Sequence, residues 1–347
     1  MQDKKTDNAI TRRKFIKSGA TAGGILALVS ARIGGQIQGE RQGKKVNMKT
    51  QNKQEFWKNG ARLCITVSMQ FEAGGQPISG AAGFIPDPIE PGFPDLPTNT
   101  FFEYGIREGI PRMLNLFDKH DIKVTSFIVG EAADKSPDTV REIFRRGHEC
   151  AAHGKRWDWQ YKLPREEEKA WIQSSVESVR RIIGQRPVGY DCYWMRGSPR
   201  TLELLQELGF TYHNNDLSRD EPFIQDINGK PFVAVPYTIH LNDIASYEFK
   251  NFSPQAYEQQ LKDEFDQLYE EGAKQRRMMV VSLHDRYGHA SRVRVVERFL
   301  AYAKSHKDVW FARKDEIAKY ALSTPDITPK VVREAAEVSG LPGTSRK

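Results

Sequence analysis

Apolar and polar positions along the chain alternate between two periods from Arg62 onward. Short apolar runs of strand length are separated by longer segments whose apolar residues recur every three or four positions. Leu63–Met69 reads as a buried strand, and the β-branched run Val124–Val129 as a second. Further strands are predicted at Glu149–Ala152, Gly189–Trp194, Phe210–His213, Phe232–Val235, Met278–Leu283 and Val309–Phe311. Between them lie helical patterns. Ile110–Lys119 carries Pro111 in its first turn and Ile110, Leu114 and Phe117 on one face. Ser136-Pro137 opens a helix running to Arg146, and Pro164–Ile183 has acids at its start and Arg180-Arg181 near its end, as the helix dipole favours. Pro199–Leu208, Pro254–Glu271, Arg292–Ser305 and Asp315–Ala321 complete the set. Residues 73–100 are rich in Gly and Pro and read as one long loop, a feature usually kept for function.

Strands spaced by helices pair in parallel through right-handed crossovers, which leaves a doubly wound sheet or a barrel. No G-x-G-x-x-G follows the first strand, so the dinucleotide-binding fingerprint is missing and a barrel is favoured. In a barrel, active groups stand just past the C-terminal ends of the strands.

Charge changes the picture at one end of the chain. The 347 residues carry a net charge of +7, but residues 1–50 hold eleven Lys and Arg against three Asp and Glu, and the other 297 hold 41 basic and 42 acidic groups. The body is neutral, which argues against nucleic acid as a partner. The leader places Arg12-Arg13-Lys14-Phe15 before an apolar stretch, Ala20–Val29, too short to span a bilayer. It is similar to a twin-arginine export signal ending near Ala31, so the chain is expected to use the twin-arginine machinery and reach the periplasm. Residues 32–54 read as a linker, 55–322 as the catalytic barrel and 323–347 as a loose tail. Three cysteines, Cys64, Cys150 and Cys192, make neither a disulfide framework nor a C-x-x-C zinc pattern.

The candidate chemistry follows from the barrel. Gln70 and Glu72 follow the first strand, His153 the third, Arg196 the fourth, Asn242 and Asp243 the Val233 segment, and His284 and Asp285 the Met278 strand. A carboxylate, two imidazoles and a guanidinium at one mouth suit hydrolysis of a carbonyl–nitrogen bond, which needs water activated, a leaving nitrogen protonated and an oxyanion held. Each has a structural alternative: Glu72 exposed in a loop, His153 satisfied in the core, Arg196 paired with Asp191 or Asp220. His120, His148, His213 and His240 are assigned to caps, turns or packing. The aromatic set Trp157, Trp159, Tyr161, Tyr190, Tyr193 and Trp194 is either core or a stacking surface for a ring substrate.

Several motifs resemble the polysaccharide deacetylase superfamily: Phe102-Glu103-Tyr104-Gly105, Gly147-His148-Glu149, His153-Gly154, Arg186-Pro187, Arg196-x-Ser198-Pro199, and Leu283-His284 followed by Val309-Trp310. The resemblance spans about Arg62 to Leu322 and implies an α/β fold, a distorted (β/α) barrel of about seven parallel strands. Gln70-Phe71-Glu72-Ala73-Gly74-Gly75, His153-Gly154-Lys155-Arg156-Trp157 and Val235-Pro236-Tyr237 with Asn242-Asp243 are similar to the branch holding allantoinase-like proteins, cyclic-imide hydrolases and a peptidoglycan deacetylase. That branch implies a hydrolase of non-peptide C–N bonds and allows a homo-oligomer.

The chain departs from the family where metal is usually held. Gln70 and Glu72 stand where two aspartates are typical, and His153 and Trp157 where a His-x-x-x-His pair is typical. Glu72 and His153 are two zinc ligands where three are normal, so the expectation is no cofactor or a weakly bound divalent metal. The expected roles are Glu72 as general base, His284 as proton donor or oxyanion stabiliser and His153 as orienting group. Gln70, Trp157, Arg196, Asn242 and Asp243 would bind substrate. The substrate classes are a small cyclic amide, ureide or imide, and alternatively an N-acetylated sugar of peptidoglycan or another polysaccharide. A second alternative, a carbohydrate-binding barrel without activity, is weakened by the retained His153, His284 and Arg196.

Overall fold

A computed structural model describes residues 56–327, apart from 82–84 and 86, and the backbone of 329–331. The leader read as a twin-arginine signal, the whole of the predicted linker 32–54 and most of the predicted tail lie outside the described residues.

Strand β1 (Leu63–Phe71) is buried at all nine positions, as expected of a strand covered on both faces. It pairs in parallel with β8 (Met278–His284) along one edge and, along the other, with β9 (Val309–Phe311) near its start and β2 (Thr125–Ile128) near its end. The sheet continues through β3 (Glu149–Ala152), β4 (Gly189–Tyr190), β5 (Tyr212–His213) and β7 (Lys230–Ala234), all parallel. Beyond β8 a single parallel bridge joins Ser282 to Asn242. The sheet therefore curls as the predicted (β/α) barrel requires.

Alternation along the strands splits the core into two layers. Leu63, Ile65, Val67, Met69 and Phe71 pack outward. They meet α1 (Leu96–Tyr104), α2 (Ile110–Lys119), α7 (Pro254–Glu271) and α8 (Ala290–Lys304) through Phe102, Leu114, Phe117, Phe265 and Phe299. Cys64, Phe127, Ala151, Tyr212, Val233, Met278 and Val280 pack together on the inside. Toward the C-terminal end the inner face turns polar: Ser68 and Ser282 hydrogen-bond at 2.9 Å, and Gln70 is the register partner of His284. The remaining helices are α3 (Gly130–Lys135), α4 (Pro137–Arg145), α5 (Arg165–Ile183), α6 (Thr201–Glu207) and α9 (Lys314–Ser323).

Four expectations need correction. The 73–100 loop ends early, because Asp95 caps α1 by accepting from the Thr98 amide at 3.0 Å. The strand predicted over Gly189–Trp194 stops at Tyr190, since the chain turns at Trp194 and Met195, both with positive φ. An extra strand, β6 (Phe223–Ile227), pairs antiparallel with β7 across Asn228-Gly229, whose φ values of 53° and 76° form the tight hairpin turn those residues favour. The predicted loose tail contributes β10 (Pro329–Val331), parallel to β6.

One close approach positions the site. Between α1 and α2 a π-helical turn, Gly105–Gly109, lies against the turn after β8. A Cβ on Gly109 would fall 1.9 Å from the Asp285 carbonyl oxygen, so only glycine fits there. Arg112 then donates to the Gly288 carbonyl at 2.6 Å.

Candidate active site

Four strand ends deliver the reactive groups. Glu72 follows β1, His153 follows β3, Asp191 follows β4 and His284 closes β8, all at the C-terminal rim. They line one pocket with Gln70, Trp157, Cys192, Trp194, Met195, Tyr237, Asn242 and Ile244.

Glu72 is the hub. Its Oε1 accepts from His153 Nε2 at 3.3 Å and stands 3.8 Å from His284 Nε2, while its other oxygen takes a hydrogen bond from Arg286. Its own amide and that of Ala73 donate to Asp285 Oδ2 at 2.8 and 2.7 Å, which fixes the strand end. Burial alone would raise the Glu72 carboxyl, but the Arg286 charge and the His153 hydrogen bond outweigh it and hold the group far below the carboxylate range.

His153 is held at both nitrogens. Nδ1 donates to the Asp191 carbonyl at 2.9 Å, and Nε2 faces Glu72. Burial opposes its charge, yet the hydrogen bond to Glu72 and the Asp191 charge prevail and push it up to about 9, so it is an imidazolium at neutral pH. Asp191 itself is pushed up to about 6 by burial, against the lowering pull of His153 and Lys314.

His284 is braced by Asp243. The carboxylate takes the His284 backbone amide at 2.8 Å and the ring Nδ1 at 2.6 Å. With Nδ1 donating to Asp243, Nε2 is the ring nitrogen turned toward the pocket and Glu72. Asn242 donates from Nδ2 to the Tyr237 hydroxyl at 2.6 Å and accepts the Ala245 amide at 3.1 Å, leaving one Nδ2 hydrogen for a ligand.

The structure thus brings Glu72, His153, His284, Gln70, Trp157 and Asn242 to one pocket, with Asp243 directly behind His284. It does not bring Arg196. That side chain is exposed and stacks over Trp159 at 5.3 Å, pairing with neither Asp191 nor Asp220. The cation of the site is Arg286, buried to 3% exposure among the rings of Phe102, Trp157 and Tyr287 at 4.4, 5.1 and 5.5 Å. Sequence reasoning missed Arg286 and Asp191. The signal for the first was the unbroken charged run His284-Asp285-Arg286 closing an apolar strand. Of the aromatic set, Trp157 and Trp194 line the pocket, whereas Tyr190 is core and donates to Gln160 at 2.8 Å. His213, bonded to Gln225 at 2.7 Å, and His148, which accepts the Val124 amide at 3.2 Å, are packing residues as expected.

A divalent metal, which the family implies, does not fit these residues. The Glu72 carboxylate already carries a guanidinium on one oxygen and an imidazolium on the other. A divalent cation there would face the fixed positive charge of Arg286. Trp157 offers no lone pair where a further ligand would stand. Among the described residues, no group of three or more His, Cys, Asp or Glu side chains is arranged to hold a metal ion.

Comparison with known proteins bears on the fold and the family. A family profile described as polysaccharide deacetylase matches residues 98–213. A crystal structure from Pseudomonas aeruginosa PAO1, described as a probable polysaccharide deacetylase, is 32% identical with a TM-score of 0.72, covering 77% of this chain and 93% of that one. The crystal structure of an allantoinase is 31% identical with a TM-score of 0.74, covering 79% and 95%. A peptidoglycan deacetylase of Helicobacter pylori is 29% identical over 136 residues, 39% of this chain and 46% of that protein. With the barrel, the imidazole pair and these similarities in place, the chain belongs to the polysaccharide deacetylase family and is a hydrolase of carbon–nitrogen bonds other than peptide bonds.

Proposed function

We propose that the protein opens a small cyclic amide, ureide or imide by direct attack of water, without a metal. The observation that carries this reading is the pocket itself. It is narrow, with Trp157, Trp194, Met195 and Ile244 as walls beside the carboxylate and the imidazoles. A single ring stacked between indoles suits that shape, whereas a polysaccharide chain needs an open groove. The similarity to an allantoinase over most of both chains supports the same class.

The roles follow from proton affinity. A carboxyl as acidic as Glu72 takes a proton poorly, so the general-base role expected for it passes to His284. His284 Nε2 removes a proton from water as the oxygen bonds to the carbonyl carbon, with Asp243 holding the ring and stabilising the imidazolium. The free Asn242 amide hydrogen meets the oxyanion, and the His153 imidazolium, bonded to Glu72, adds its positive charge nearby. Glu72 accepts a hydrogen bond from the attacking water and anchors His153. As the carbon–nitrogen bond breaks, His284 returns the proton to the leaving nitrogen. In this account Glu72, His153 and His284 are the catalytic residues, Gln70, Trp157 and Asn242 bind substrate and Asp243 orients His284.

The test is a substrate panel. Purified protein is incubated with allantoin, hydantoin, dihydrouracil and succinimide, and separately with N-acetylglucosamine oligomers. Ring opening with no release of acetate supports the reading. Acetate release without ring opening overturns it in favour of N-deacetylation, which the peptidoglycan deacetylase similarity would then explain. The leader supports export through the twin-arginine route as part of the same proposal.

A further inference from the structure

Gln70 is the one amide side chain on the inner face of β1 at the pocket. It is 2% exposed, it lies in register beside His284, and it lines the pocket. Its Oε1 has no hydrogen-bond partner, and its Nε2 makes only a 3.5 Å contact to Ser68 Oγ. Buried polar atoms are rarely left so, and an unpaired one in a pocket marks what the ligand must supply. A carboxamide shows a donor and an acceptor side by side. The complementary edge has its own N–H and C=O side by side, which is the cis arrangement that a small ring forces on an amide. An open-chain secondary amide strongly prefers trans, and its N–H and C=O then point in opposite directions.

We propose that Gln70 reads the cis N–H/C=O edge of a ring amide through two hydrogen bonds and thereby selects cyclic substrates over N-acetyl groups. This rests on the reading of the protein as a cyclic-amide hydrolase. Gln70 binds the ring beside His284, so the carbonyl to be attacked is presented to the water that His284 activates. An acetamido group matches at most one of the two positions.

The test uses the fastest-opened ring of the panel, its N-methyl analogue and two variants, Gln70→Leu and the closer isostere Gln70→Met. The parent should prefer the N–H ring over the N-methyl ring in kcat/KM by about ten- to a hundredfold, the scale of one or two buried hydrogen bonds. Either variant should raise KM for the N–H ring at least about tenfold and cut that preference to under about threefold, with an unchanged thermal midpoint. A folded variant that keeps the parent's preference overturns the role of Gln70 while leaving cyclic-amide hydrolysis standing. A parent that neither opens nor binds any ring in calorimetry overturns both.

Discussion

Replacing Arg286 with alanine is the sharpest perturbation of the site. The guanidinium is almost fully buried, bonds Glu72, lies 3.6 Å from Asp285 Oδ1 and contacts three aromatic rings. Removing one partner of a buried ion pair leaves a desolvated charge and costs about 3–5 kcal/mol. For a domain of this size that is roughly a 10 °C fall in thermal midpoint. The pH dependence adds a second signature. In the parent the folded Glu72 carboxyl lies below its unfolded value, so its contribution is complete above about pH 4.5 and is lost as pH falls. Without Arg286, burial dominates and moves the folded carboxyl upward, so the deficit should be largest near pH 7 and shrink as pH falls toward 5. Urea unfolding of the parent, Arg286→Ala and Arg286→Lys at half-unit steps from pH 5 to 8 measures both effects. The lysine variant should recover part of the loss, because it keeps the charge without the planar fork. An alanine variant within about 0.5 kcal/mol of the parent, with the same pH slope, would refute the view that Arg286 charges and holds this carboxylate.

Other consequences are equally direct. His284→Asn should lower kcat about 10²–10⁴-fold with little change in KM, and Asp243→Asn should lower it through loss of the ring's tautomer, both read in steady-state kinetics on a ring amide. His153 is raised to about 9 in the fold, above its unfolded value near 6.5. Its stabilisation is therefore complete below about pH 6.5 and disappears as pH rises through 9, a slope that His153→Gln should abolish in denaturant titrations. Gly109→Ala should drive the turn after β8 away from α2 and lower the thermal midpoint by several degrees, seen by calorimetry. Replacing Arg12 and Arg13 by lysine should retain the protein in the cytoplasm of a bacterial host, read by fractionation.

The parts of this structure written in local pattern were legible beforehand. Leu63–Phe71 and Met278–His284 are long buried strands, and their apolar runs announce them. Ile110–Lys119 and Pro254–Glu271 match their predicted bounds because Pro111 and the Ser253-Pro254 pair mark their first turns. The short strands were harder: β4 spans two residues, and no period can be read from two positions. The Asn228-Gly229 turn was a readable hairpin signal, but β6 carries Gln225 and Asp226 and so lacks an apolar run. At the site, the strand-end rule found Glu72, His153 and His284. It misplaced the guanidinium, because whether Arg196 or Arg286 turns inward depends on Trp159, Phe102 and Trp157, which meet them only in three dimensions. The acidity of Glu72 was likewise unreadable, since it is set by partners as far as 214 positions away.

The central claim is that the Arg286-bound carboxylate and its two imidazoles carry the hydrolysis without a divalent cation. The most direct measurement is the rate of ring opening after exhaustive chelation, followed by titration with zinc. The account predicts a chelated rate within about twofold of the untreated rate and no gain on adding zinc, since Arg286 and His153 already supply the charge. A rate that vanishes on chelation and returns with one equivalent of zinc per chain would contradict it.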